Sequence, residues 1–141
     1  MLQATLSAPT LVGDLDALIV RAREVASRAY APYSHFRVGA ALVDAQGSVH
    51  VGCNVENASY GLTVCAERNA IFGAIAASAA RPFAALAVSC VDATEGGCSP
   101  CGACRQVIVE HFRGDAPVQV DGLGCFTVSQ LLPHSFQMER A

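Results

Sequence analysis

From Asp14 to Tyr30, apolar residues fall at Leu15, Leu18, Ile19, Ala22, Val25, Ala26 and Ala29, while Arg21, Glu24 and Arg28 lie between them. Steps of three and four place the apolar positions on one helical face and the charges on the other. Pro32 stops this helix. Phe36 to Val43 and Ser48 to Val55 are β-like, and the link Asp44-Ala45-Gln46-Gly47 predicts a hairpin between them. The alanine-rich, proline-free run from Thr63 to Ala80 predicts a second helix, ended by Arg81-Pro82. Phe83 to Val91 is an apolar run that fits a strand covered on both faces. Pro100 to Phe112 predicts a third helix that opens just after a proline. Val118 to Val120 and Cys125 to Val128 form short strands around Asp121-Gly122, and Leu131-Leu132 a short helical turn. No internal repeat or linker interrupts this order, α-β-β-α-β-α-β-β. It predicts a single α/β domain over residues 1–141, with a mixed sheet between helices.

Composition narrows the class. A chain of 141 residues holds one hydrophobic core and is too short for two comfortable domains. Hydrophobic residues at 52% and charged residues at 15% exclude disorder and imply that other subunits cover part of the apolar surface. A net charge of −3 supplies no basic field, which disfavours nucleic acid as the partner. No apolar run reaches the roughly 18 residues that a bilayer span requires, so no membrane association is expected. The opening MLQATLSAPTLVGDL lacks a signal peptide's basic region and turns acidic at Asp14 and Asp16, which predicts a cytoplasmic protein. Thiols stay reduced there, so seven cysteines, an odd number, point to a metal or to core packing rather than to disulfides.

Three of them stand at even intervals in Cys98-Ser99-Pro100-Cys101-Gly102-Ala103-Cys104. Cys101 and Cys104 share a face at the start of the third helix, and Cys65 opens the second. Helix starts carry unpaired N–H groups and partial positive charge, which favour thiolate over thiol. Three protein ligands with one open position is the arrangement of a catalytic zinc. Thiolate softness points to Zn2+ as the ion. Cys98 lies in the loop before the helix, either as a packing thiol or as a fourth ligand that would make the site structural. Cys53, Cys90 and Cys125 fall in strand-like stretches and read as small buried hydrophobes. Two residues beyond Cys65, Glu67 cannot share that ligand's face. It can point into the open position as a general base, or it can be an ordinary solvated acid of a helix's first turn. Arg68, three residues from Cys65, can donate charge-assisted hydrogen bonds to the thiolates or form a surface ion pair.

Cys65-Ala66-Glu67 together with Pro100-Cys101-Gly102-Ala103-Cys104-Arg105-Gln106 resembles the zinc-dependent cytidine deaminases, in their short homotetrameric class with three cysteine ligands. The similarity extends from about Tyr30 to Phe136 and includes Tyr33-Ser34-His35-Phe36-Arg37-Val38-Gly39 and Gly52-Cys53-Asn54-Val55-Glu56-Asn57. It implies an α/β/α sandwich with a central five-stranded mixed sheet. It also implies hydrolytic deamination of cytidine and 2′-deoxycytidine, with Zn2+ on Cys65, Cys101 and Cys104 and Glu67 as proton shuttle. By the same resemblance Phe36 packs on the pyrimidine ring and Asn54 and Glu56 hold the ribose 3′-hydroxyl. The backbone of Ala66 and Cys101 contacts the base, and Tyr60 and Phe136 complete a neighbour's active site in a homotetramer. His35, His50, His111 and His134 are then bystanders, because a cysteine stands where a related branch has a histidine ligand. A structural zinc module, a nucleic-acid-editing deaminase and a blasticidin-type deaminase are the competing readings. The first needs a fourth ligand such as Cys98, and the second a basic groove that the chain lacks. The Asn54/Glu56 pair and Phe36 favour nucleosides over the third.

Overall fold

In the computed structural model, residues 8–95 and 97–140 are described, residues 8–13 by their backbone alone. Residues 1–7, on which the reading of the N-terminus partly rests, lie outside the described residues. The order is α1 (Ala8–Ala26), β1 (Val38–Val43), β2 (Val49–Cys53), a single 3-10 turn (Tyr60–Leu62), α2 (Ala66–Ala76), β3 (Ala85–Cys90), α3 (Gly102–His111), β4 (Pro117–Val120), β5 (Gly124–Thr127) and α4 (Val128–Leu131). The five strands form one mixed sheet in the order β2-β1-β3-β4-β5, in which only the β3–β4 pair is parallel.

Side chains alternate across the pleat, so each central strand feeds two cores. Ala41 and Val43 of β1 and Ala85 and Ala87 of β3 meet Leu15, Leu18, Ile19 and Ala22 of α1. Ala40, Leu42, Leu86, Val88, Val118 and Val120 meet Ala70, Ile71, Cys104 and Ile108 of α2 and α3 on the other face. Both β1 and β3 are buried at every position, which is why the sequence over Phe83 to Val91 shows no polar alternation. Alanines on the α1 face let that helix lie close. At Gly39 a Cβ would collide with the Ala22 carbonyl, and at Gly52 with the Ala70 backbone. Those two glycines seat α1 and α2 against the sheet, and α2 carries part of the candidate site.

Several boundaries differ from the sequence expectation. The first helix begins at Ala8 rather than Asp14 and ends at Ala26 rather than Tyr30. Ser27 Oγ donates back to the Glu24 carbonyl, and the Tyr30 amide turns away to the Asn54 carbonyl. The second helix is shorter than Thr63 to Ala80, since Cys65 has extended backbone and Ser78 a left-handed φ of 60°. Val128 opens α4 instead of closing β5, because Thr127 and Gln130 form a reciprocal capping box at that point. Cys125 is exposed and Cys53 half-buried, so of the three strand cysteines only Cys90 is the buried hydrophobe expected.

Candidate active site

Cys65 and Cys101 are the N-cap residues of α2 and α3, with extended backbone at φ −70° and −67°. Neither side chain caps its own helix, which leaves both sulfurs free to face each other. Cys104 sits in the first turn of α3 and is fully buried. The three sulfurs lie within 4.8 Å of one another, with Cys65 and Cys101 at 3.8 Å. Tetrahedral zinc with Zn–S bonds of about 2.3 Å sets its sulfurs about 3.8 Å apart, so the cluster has the right size for that ion. Among the described residues no other histidine, cysteine or acid joins the group. Cys98 stays outside the cluster, near Cys90, and burial pushes its thiol up to about 11. The fourth position is therefore left without a protein ligand, and the structural-zinc reading loses the residue it needs.

The electrostatics agree with a cation site. The hydrogen bond from Cys104, with that from Arg68, draws the Cys65 thiol down to about 5. Cys104 shifts strongly the other way, through the same bond to Cys65 and through its own burial. The opposite shifts of these two neighbouring thiols show that negative charge is crowded here without a positive ion, and three soft donors suit zinc. Arg68 Nη2 donates to Cys65 Sγ at 3.4 Å, and its guanidinium pKa is raised chiefly by that contact.

Glu67, in the first turn of α2, is 4% exposed and stays outside the sulfur cluster. The solvated-acid reading fails at that burial. Desolvation raises its pKa, helped by the Cys65 charge, while the Cys104 thiol and Arg68 pull in the opposite sense. A buried carboxyl outside the sulfur cluster, two residues from one of its members, is suited to carry a proton.

Around this centre lie the remaining expected residues. Asn54 and Glu56 fall just beyond β2 rather than on a strand, yet both are buried. Asn54 accepts from the Val38 amide and donates to the Phe36 carbonyl, each at 2.8 Å. Glu56 accepts from the Tyr33 and Ser34 amides at 3.0 and 3.2 Å, and the Ser34 side chain, ahead of these amides, leads the lowering of its pKa. Each therefore keeps spare capacity, a second N–H on Asn54 and a further acceptor lone pair on Glu56, while the first set of bonds fixes the loop that presents Phe36. Phe36 is 41% exposed, so it is not spent on the hydrophobic core. Ala66 opens α2 with its side chain fully buried. Tyr60, in the 3-10 turn, is 75% exposed, and Phe136 is 70% exposed with its carbonyl held by Gln106. None of the four histidines enters the cluster. His50 pairs with Asp44 at 3.0 Å, and His111 contacts Arg81.

Two arginines make long-range contacts that the sequence does not show. Arg37 is fixed by a two-pronged pair with Asp92, whose pKa that contact lowers to about 2. Arg105 bonds Ser99, Pro100 and Leu131 together. Both link positions far apart in sequence, so neither leaves a local pattern.

Comparison with known proteins agrees with this geometry. The family model described as "Cytidine and deoxycytidylate deaminase zinc-binding region" matches residues 13–118. A cytidine deaminase of Sporosarcina psychrophila is 47% identical over 130 residues, covering 89% of this chain and 93% of its own. One from Mycobacterium tuberculosis H37Rv is 42% identical over 130 residues, with 89% and 92% covered. The crystal structure of cytidine deaminase from Burkholderia pseudomallei superposes with a TM-score of 0.79 at 50% identity, over 86% of this chain and 98% of that one. That from Mycobacterium tuberculosis gives 0.80 at 38%, over 89% and 98%. With three sulfurs spaced for zinc, a buried glutamate beside them, and relatives that match over most of both lengths, the chain belongs to the zinc-binding cytidine and deoxycytidylate deaminase family.

Proposed function

We propose that this protein hydrolyses cytidine and 2′-deoxycytidine to uridine and 2′-deoxyuridine, releasing ammonia. One observation carries the reading: Glu67 is buried beside a three-sulfur cluster that leaves one coordination position free. Zinc held by Cys65, Cys101 and Cys104 would supply a Lewis acid that lowers the pKa of water toward neutrality. Glu67 takes the first proton from the attacking water and gives it to N3 of the pyrimidine as the water oxygen bonds to C4. It then moves the second proton from the new C4 hydroxyl to the amino group, the C4–N bond breaks, and ammonia departs. Atoms balance, since both water protons end on nitrogen and its oxygen becomes the uracil carbonyl.

Arg68 offsets thiolate charge through its bond to Cys65. Phe36 offers an exposed ring to the base, and Asn54 and Glu56 offer their unused donor and acceptor to the sugar. The backbone of Ala66 and Cys101, at two helix starts, faces the reacting end of the base. Tyr60 and Phe136 project apolar rings from the single chain, and a homotetramer in which each ring completes a neighbour's site would bury them. A reducing cytoplasm keeps such a thiolate cluster intact. Phe36 and the Asn54/Glu56 pair favour a nucleoside over a blasticidin-type substrate.

The test is the fall in ultraviolet absorbance on incubating purified protein with cytidine, with ammonia measured in parallel. Turnover should give equal uridine and ammonia, stop on chelation and return with zinc. Zinc-loaded protein that leaves cytidine unchanged would overturn the proposal.

A further inference from the structure

The C-terminal segment runs beside α3 and is tied to it at three points. Arg105 Nη1 donates to the Leu131 carbonyl at 2.7 Å, Gln106 Nε2 to the Phe136 carbonyl at 3.0 Å, and Arg140 Nη2 to Glu110 Oε2 at 2.8 Å. Arg105 also reaches the other way. Its Nε donates to the Pro100 carbonyl and its Nη2 to Ser99 Oγ, both at 2.7 Å. A single half-buried guanidinium therefore joins the loop immediately before Cys101 to the end of α4, where the segment bearing Phe136 begins. A cation near a helix N-terminus opposes the helix dipole. The three short, charge-assisted bonds to two separate stretches of chain hold it there against that field. A lysine ammonium cannot reproduce this, because only the planar fork of arginine sends donors in three fixed directions.

We propose that Arg105 is a positioning residue that anchors the Phe136 segment to the loop before Cys101, so that the aromatic ring keeps its place relative to the sulfur cluster. The use of that ring against a nucleoside rests on the deaminase reading above; the mechanical coupling does not. Since Phe136 would contact the ground state and transition state alike, loosening it weakens binding and leaves the chemical step nearly intact.

Two measurements on the full-length, zinc-loaded protein decide the matter. The chain contains no tryptophan, so Phe136→Trp provides a single fluorescent reporter on the segment. Adding Arg105→Lys or Arg105→Met to that reporter should shift its emission to the red and raise its quenching by acrylamide, with zinc content unchanged. In the otherwise native chain, the same Arg105 substitutions should raise KM for cytidine about tenfold, the effect of one lost charge-assisted bond, with kcat within about threefold. A merely structural arginine would lower the melting temperature without moving either readout. Parent-like quenching and KM would overturn the coupling, as would a fall in kcat at unchanged KM. Should Arg105→Met fail to fold, Arg105→Lys alone decides. Should the parent not act on cytidine, the functional reading fails, and the reporter still tests the coupling.

Discussion

Replacing Glu67 by glutamine leaves the side chain's shape almost unchanged and removes its ability to accept a proton. Glu67 is 4% exposed, packed in the first turn of α2, and outside the set of sulfurs that fit the metal. Neither the fold nor the metal should therefore depend on its charge. Burial raises its pKa, the direction a group needs if it is to take and return protons near neutrality. General acid–base help is worth about 10²–10⁴-fold, or about 2.7–5.4 kcal/mol at about 1.36 kcal/mol per tenfold. Glu67→Gln should lower kcat by at least about 100-fold, the lower bound of that range. Zinc content should match the parent. The melting temperature should equal or exceed the parent's, since a neutral amide is cheaper to bury than a carboxylate. The assay is steady-state cytidine turnover, paired with metal analysis and thermal unfolding on the same preparation. A variant that keeps zinc and turns over within about threefold of the parent would refute the proton-shuttle role, because general acid–base help is worth far more. Loss of zinc along with activity would instead show that Glu67 takes part in holding the ion.

The same geometry predicts three further outcomes. Arg68→Ala removes the donor 3.4 Å from Cys65 Sγ; as a hydrogen bond to a charged group is worth about 1.5–3 kcal/mol, zinc loss to a chelator should accelerate about tenfold or more, and an unchanged release rate would remove Arg68 from the metal's support. Cys98→Ala should retain full zinc, because among the described residues the cluster comprises Cys65, Cys101 and Cys104, and should cost about 1 kcal/mol in urea unfolding as an ordinary packing change; loss of the ion would restore the structural-site reading. The Asp44 pKa lies below 3.8: burial pushes it up, but the His50 hydrogen bond and the Ser48 and Gln46 amides together outweigh that. A depressed carboxylate adds stability that is complete above its unfolded pKa and disappears as pH falls through its folded pKa. Asp44→Asn should thus be less stable than the parent at pH 6 and approach it in acid below the Asp44 folded pKa; a difference that stays constant with pH would exclude the Asp44 charge as the cause.

Much of the architecture can be read directly from the chain. The three- and four-residue rhythm of Leu15, Leu18, Ile19 and Ala22 is the face that α1 lays on the sheet. The apolar run through Leu86 and Val88 is a strand covered on both sides. Boundaries are less legible, because short-range hydrogen bonds set them. Thr127 and Gln130 close a capping box and convert Val128 from strand to helix. Tyr30 leaves α1 for a backbone bond to Asn54. Neither choice alters hydrophobic periodicity, so periodicity cannot report it. Asn54 and Glu56 stand two residues apart at the end of a β-like stretch. In the folded chain they lie past the end of β2, with part of their bonding already spent on the Phe36 loop.

The sequence alone determined the ligand types, their placement at helix starts and the glutamate beside them, because these depend on neighbours within a turn of helix. Only the tertiary structure decided that Cys65 and Cys101 approach to 3.8 Å while Cys98 stays outside their cluster. It likewise decided that Glu67 is sealed from water, and that Arg105 binds residues 99, 100 and 131 into one unit. The physical reason is range. Spacing encodes the direction of a side chain from its own helix, whereas distance, burial and charge at the site arise where α2 and α3 are packed side by side on one face of the sheet.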